Sequence, residues 1–159
     1  MKIILAVDEN WGIGKDNKML FQLKKDLKHF RKETIDNIVI MGRSTYESIG
    51  HGLDDRQNIV LTHDKSHKLD DALVFHSKDE IMNHLKKANK KVYVIGGSQI
   101  VDLFLADSNE AIITKIQAKR DADTYLHNFD EDPDFEIVDR SEILEENGIK
   151  FSYVKYRRI

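Results

Sequence analysis

Residue 26 forces a charge against a surface that the pattern around it marks for burial. Read as a helix, residues Asn17 to Thr34, NKMLFQLKKDLKHFRKET, place Leu23, Leu27, Phe30 and Thr34 within roughly 60° of one another, at about 100° per residue. Lys24, Lys25, Lys28, Arg31 and Lys32 cover the opposite side. Asp26 projects about 40° from Phe30, at the margin of the apolar stripe. A carboxylate there is partly desolvated, at a cost of several kcal/mol unless something meets it. Water or a nearby base at the edge of the core is one partner; a ligand is the other.

Two stretches pair glycine with a helix start. Gly42-Arg43-Ser44-Thr45 follows the apolar run IVIM (38–41), and Gly96-Gly97-Ser98 follows VYVI (92–95). Free backbone N–H groups and the helix dipole bind phosphate at such places, and glycine lets the backbone come close. Serine and threonine are equally ordinary helix caps, and neither stretch is the G-x-G-x-x-G fingerprint. Arg56 leaves the loop HGLDDR just before the strand QNIVLT (57–62), either as a solvated cation or as part of a site. Thr62 and His63 close the other end of that strand.

The elements that carry these residues can be read from apolar patterning. KIILAV (2–7), IVIM, QNIVLT, ALVF (72–75), VYVI, AIITKI (111–116), FEIVDR (135–140) and IKFSYVKYR (149–157) predict eight strands. Helices alternate with the first six, and the last two predict an antiparallel pair joined by SEILEENG. The expectation is a three-layer α/β sandwich, with a central eight-stranded, mostly parallel sheet, an antiparallel C-terminal edge and about four flanking helices. Ser77-Lys78-Asp79-Glu80 predicts a capped helix, with Lys86, Lys87, Lys90 and Lys91 complementing the dipole at its end. The glycine-punctuated loop DENWGIGKDNK (8–18), bearing the only tryptophan, is a lid or a plain connector. In parallel sheets ligands bind beyond the carboxyl ends of the strands, where this loop and both glycine turns gather.

Composition narrows the function. The chain has 159 residues, no cysteine and a net charge of −3, the size of one domain without thiol chemistry or a basic field for nucleic acid. No apolar run approaches the ~20 residues that span a bilayer. The seven histidines make no metal-ligand pair, and the acidic run around Asp130, Asp132 and Asp134 lacks the glycine and glutamate of a calcium loop. The expectation is one domain over 1–159, cytoplasmic and monomeric, without metal, nucleic acid or membrane as partner.

In order along the chain, LAVDENWGIGKDNKM, KKDLKHF, IVIMGRSTYESIG, RQNIVLTH, VYVIGGSQI, IITKI, DADTYL and FSYVKYR resemble bacterial dihydrofolate reductase over nearly the whole length. The resemblance implies NADPH-dependent reduction of 7,8-dihydrofolate by hydride transfer to the pterin. Asp26 matches the family's single active-site carboxylate, which binds the pterin's N3 and 2-amino edge and favours protonation at N5. Thr114 matches a threonine bonded to that acid and the pterin. Ile4, Leu5, Ala6, Leu27, Phe30, Ile49 and Ile95 match the walls, while Leu53 and Arg56 match contacts to the benzoylglutamate tail, with Arg56 on the α-carboxylate. Ala6, Ile13, Gly14 and Ile95 match lid and nicotinamide contacts. Gly42, Arg43, Ser44 and Thr45 match one phosphate turn, and Gly96, Gly97, Ser98, Gln99 and Ile100 the other. Arg43, Leu61, Thr62 and His63 match the adenosine end, where Arg43 favours the 2′-phosphate of NADPH over NADH. Antifolate-type small molecules are implied as further ligands.

Several positions depart from that pattern. Leu20-Phe21 stands for Pro-Trp at the lid's end, Leu23-Lys24 for Leu-Pro, and His51-Gly52-Leu53-Asp54-Asp55 for a proline-bearing loop. Val101 replaces an aromatic, and Ala122 a glycine in the loop facing the lid. Lost prolines free the unfolded chain and the loops, and Phe21 lacks an indole N–H that could hold a water near the pterin. A pyrimidine reductase of riboflavin synthesis shares the NADPH half but has no task for Asp26. A paralogue that binds NADPH or folate without efficient catalysis is the other alternative.

Overall fold

Uninterrupted apolar runs become strands covered on both sides, and short polar ones become edges. The computed structural model describes residues 1–159, with strands β1 (Lys2–Val7), β2 (Gly12–Lys15), β3 (Lys18–Met19), β4 (Ile38–Gly42), β5 (Gln57–Leu61), β6 (Leu73–Phe75), β7 (Val92–Gly96), β8 (Glu110–Ile116), β9 (Thr124–Tyr125), β10 (Phe135–Arg140), β11 (Leu144–Glu146) and β12 (Ile149–Arg158). The helices are α1 (Lys24–Thr34), α2 (Arg43–Ile49), α3 (Lys78–Leu85) and α4 (Ser98–Phe104), followed by one 3-10 turn at Leu105–Asp107.

Eight strands line up in the order β10-β12-β8-β1-β7-β4-β5-β6; the number, the parallel run from β8 to β6 and the antiparallel edge at β12 and β10 are as expected. The connector SEILEENG adds a ninth, β11, paired with β12. Alternation along the strands divides the core. Ile3, Ile40, Ile59 and Val94 pack with Ile81 of α3 and Val101 and Phe104 of α4. Ile4, Met41, Ile95 and Ile112 on the other face meet Phe30 of α1 and Tyr46 and Ile49 of α2. Each such apolar side chain, fully buried, contributes about 1.5–3 kcal/mol.

The loop after β1 is more ordered than a connector. Its β2 pairs with β3 and with β9, making a small three-stranded sheet beside the main one. Trp11, at φ 62°, turns back into the core against Phe129 and Tyr156.

Three sequence expectations need correction. The helix begins at Lys24, not at Asn17, because Asp16 and Asn17 are left-handed and Lys18–Met19 pair as a strand. Leu27, a member of the predicted stripe on the side away from Asp26, is 46% exposed, whereas Asp26 beyond its other margin is only 9% exposed. A helical wheel assumes an unbroken floor, and at Leu27 that floor is open. Finally, α3 stops at Leu85, so Lys87, Lys90 and Lys91 lie beyond it, where the Lys91 N–H donates to the Asn37 side chain and leads into β7.

Candidate active site

Parallel strands end together, so β1, β4, β5, β7 and β8 deliver Asp8, Gly42, Thr62, Gly96 and the end of β8 to one rim. Asp26 approaches from α1. Thr114 on β8, level with Ala6 of β1, donates its hydroxyl to Asp26 Oδ1 at 2.6 Å. Oδ2 has no protein donor, and no cation pairs with the carboxylate. Burial raises the Asp26 pKa above its ordinary range; the Thr114 bond and His29 oppose this, and Glu146 adds to it. Thr114 is 3% exposed, so both groups are held in a site largely closed to water.

Glu146 explains how α1 manages without the expected proline. Its carboxylate, from β11, accepts the Lys24 and Lys25 backbone N–H groups at 2.7 and 2.9 Å. That caps the first turn from 121 residues away. No local pattern announces it.

Above β1, the lid packs with Ala6, Ile13, Met19, Leu20, Phe21 and Ile116 around a gap of only about 10 Å³. Asp8 anchors it: Oδ1 accepts the Asn10 and Gly12 N–H groups, and Oδ2 accepts the Arg120 N–H. Arg120 then clamps the lid's end. Its guanidinium lies 4.0 Å from the centre of the Phe21 ring and donates to the Leu20 carbonyl. Gly12 has no room for a side chain, since a Cβ would lie 2.9 Å from the Ala122 methyl.

The proline-free loop at 51–56 is held by side chains. Asn58, 5% exposed, accepts the Leu53 N–H and donates to the Leu53 and Arg56 carbonyls. Asp71 accepts the Gly52 N–H and the Tyr46 hydroxyl. Arg56 is therefore not a free surface cation: Nη1 donates to Thr34 Oγ1 at 3.0 Å and Nε to the Asp54 carbonyl at 2.6 Å. Burial lowers its pKa, and Arg31 adds to that effect.

At the opposite side of the rim, neither α2 nor α4 carries a side-chain cap. Their first-turn N–H groups thus lack the usual internal acceptor. The two turns are neighbours through the β4–β7 pairing, with Met41 level with Gly96. Gly96 has φ +125°, and a Cβ on Gly97 would stand 3.8 Å from Thr45 Oγ1. On Gly42 it would stand 3.0 Å from Ile100. Ser44, His63 and Gln99 are exposed, and Leu61 at the end of β5 is buried. Arg43 pairs with Glu47 at 2.9 Å and with Asp64 at 3.1 Å.

The structure thus brings Asp26 and Thr114 into contact, sets the apolar candidates Ile4, Leu5, Ala6, Leu27, Phe30, Ile49 and Ile95 on β1, β7, α1 and α2, and places the glycine turns side by side. Leu53 and Arg56 stand on one loop, and Ile13 and Gly14 on β2. Sequence reasoning missed Asp8, Asn58, Arg120 and Glu146. Only Asp8 carried a signal, as an acid opening a loop directly after a buried strand.

A family model described as dihydrofolate reductase matches residues 1–158. The chain is 36% identical over 153 residues to the dihydrofolate reductase of Buchnera aphidicola subsp. Baizongia pistaciae, covering 96% of this chain and 92% of the relative. It is 35% identical over 158 residues to that of Enterococcus faecium, covering 97% and 94%. A solved dihydrofolate reductase from Enterococcus faecalis, complexed with NADP(H) and RAB-propyl, superposes with a TM-score of 0.90 at 31% identity, over 99% of this chain and 95% of that one. With the fold, the buried acid and the paired glycine turns in place, the chain belongs to the dihydrofolate reductase family.

Proposed function

We propose that the chain, acting as a single domain and a monomer of the cytoplasm, reduces 7,8-dihydrofolate to 5,6,7,8-tetrahydrofolate with NADPH. The observation that carries this reading is the Asp26 carboxylate, buried at the rim with one neutral donor and no counter-charge. Such a group is costly without a ligand to answer it. Thr114 occupies Oδ1, which leaves Oδ2 to accept from the amino edge of a pterin. A carboxyl whose pKa is raised by burial holds and returns a proton nearer neutral pH, which suits protonation of N5 through water.

Ile4, Leu5, Ala6, Leu27, Phe30, Ile49 and Ile95 form the walls for the ring system, and Leu53 with Arg56 takes the tail. The guanidinium of Arg56, already oriented by Thr34 and Asp54, suits the α-carboxylate. Antifolate-type molecules use the same acid and walls.

The residues also fit a dinucleotide. Two uncapped helix starts led by glycine suit a pyrophosphate. Arg43, Thr62 and His63 suit the adenosine end, with Leu61 beside Thr62 in the chain. Ala6, Ile13 and Gly14 border the nicotinamide end, with Ser44, Thr45, Ser98, Gln99 and Ile100 between. NADPH, when bound, supplies the hydride. The protein's part is to orient both rings, exclude water under the lid and keep the proton on the Asp26 side.

The test is loss of NADPH absorbance with and without dihydrofolate, with NADH alongside. Oxidation that requires dihydrofolate supports the reading. NADPH binding without dihydrofolate-dependent oxidation overturns it in favour of a binding protein.

A further inference from the structure

Arg43, which the family resemblance sets at the cofactor's 2′-phosphate, is already engaged. Nε donates to Glu47 one turn along α2, and Nη1 donates to Asp64 in the turn after β5. Asp64 is not there by chance of a floppy side chain. Its Oδ1 accepts both the Ser66 N–H, at 3.0 Å, and the Ser66 hydroxyl, at 2.6 Å, which fixes χ1 and turns Oδ2 toward Arg43 at 3.1 Å. Its own N–H donates to Thr62 Oγ1 at 3.2 Å, so Thr62, Asp64 and Arg43 converge on one spot.

We propose that Asp64 tunes cofactor preference: a 2′-phosphate must share Arg43 with its carboxylate, so NADPH is favoured over NADH by less than Arg43 alone would give. This rests on reading Arg43, Thr62 and His63 as the 2′-phosphate end. The physics is competition. Nη2 of Arg43 is engaged by neither acid, so a phosphate reaches the guanidinium there, but it meets a charge that two carboxylates already partly neutralise and it stands beside a like charge. NADH, with a 2′-hydroxyl, displaces nothing and meets an acid able to accept from it. Two acids on one arginine thus narrow the preference for NADPH without reversing it. The Ser66 bonds matter because they keep the competing carboxylate from swinging away.

The experiment uses the whole protein and three forms: wild type, Asp64→Asn, and Glu136→Gln as a control. Asparagine keeps the Oδ1 acceptor for Ser66 while removing the charge. Glu136→Gln removes the same charge from the exposed β10, at the far edge of the sheet. Two quantities are measured: kcat/KM for NADPH and NADH with dihydrofolate, and calorimetric binding of 2′,5′-ADP and 5′-ADP.

Asp64→Asn is expected to raise the NADPH:NADH ratio about three- to tenfold, chiefly through a lower KM for NADPH, the size of an exposed contact plus a like-charge repulsion. It tightens 2′,5′-ADP and not 5′-ADP, the gain shrinks in high salt, and Glu136→Gln changes neither. The proposal is overturned if Asp64→Asn leaves the ratio and the 2′,5′-ADP affinity unchanged while wild type still binds 2′,5′-ADP better than 5′-ADP. If all three forms bind the two nucleotides equally, the assignment of Arg43 to a 2′-phosphate fails, and the proposal with it.

Discussion

The two ends of the rim hold their charges in opposite ways. Asp26 is buried, has one hydrogen-bonding neighbour and no counter-ion, and its cost is carried by the folded protein. Arg43 is in partial contact with solvent and is satisfied twice over by Glu47 and Asp64. At the first end a ligand completes an unfinished set of contacts. At the second it meets a cation that two acids already share. The difference implies that changes around Asp26 alter rates strongly and stability in the opposite direction, while changes at surface charges alter cofactor binding weakly.

The sharpest break of that contrast is Asp26→Asn. Activity at neutral pH is expected to fall at least about 100-fold and to recover as pH is lowered and the substrate arrives protonated. The wild-type rate should decline as pH rises through the raised Asp26 pKa, whereas the decline of the variant should lie at lower pH. Stability should move the other way. A carboxyl whose folded pKa is raised above its unfolded value contributes stability below the unfolded value and loses it as pH rises through the folded one. Asparagine escapes that loss and still accepts from Thr114, so Tm at neutral pH should rise by about 2–4 °C, and the gain should vanish in acid. Undiminished turnover at neutral pH would remove Asp26 from its role.

Next in size is Arg56→Lys, which keeps the charge and loses the fork. KM for dihydrofolate is expected to rise about 10- to 30-fold with kcat kept, the mark of lost uniform binding. A dihydropterin substrate without the glutamate should show no change, and an equal loss on both substrates would assign Arg56 to loop structure instead. Arg120→Leu should be milder. Removing the donor to the Leu20 carbonyl and the cation over Phe21 should lower Tm by about 2–4 °C and kcat/KM about fivefold, through a looser lid. Arg120→Lys should recover little, because an ammonium cannot stack as a plane.

What could be read from the sequence was local or periodic. Asp26 stood out because a 3.6-residue period and a charge disagreed at one position. The parallel direction of the sheet followed from apolar runs separated by helices, while the strand order did not. Thr114 had no such mark, since an alternating strand tells which face a residue is on but not which helix covers it. The clamps were illegible for a related reason. Glu146 caps α1 from 121 residues away, and Arg120 reaches Leu20 across 100 residues. Contacts of that range depend on tertiary closure, which no propensity encodes. Leu27 failed differently: its helical phase was right, but the layer beneath it is open, as a ligand-binding rim requires.

The smallest effect expected is from Phe21→Trp, and it separates two accounts of this lid. Phe21 is 6% exposed, borders the gap beneath the lid and lies under the Arg120 guanidinium. An indole there offers a better face for that cation and an N–H able to hold a water near the proton path. If proton delivery is limited by how well that water is held, the rate should rise about two- to threefold, and most at high pH, where protonation is slowest. If the Arg120 clamp has taken over the task of closing the lid, the extra ring volume brings only crowding, with Tm lowered by about 2–4 °C and no gain in rate at any pH. A pH-rate profile beside a melting curve distinguishes the two, and the first outcome is the one expected, because Phe21 removes a hydrogen-bond donor from the site without removing the contact that holds it shut.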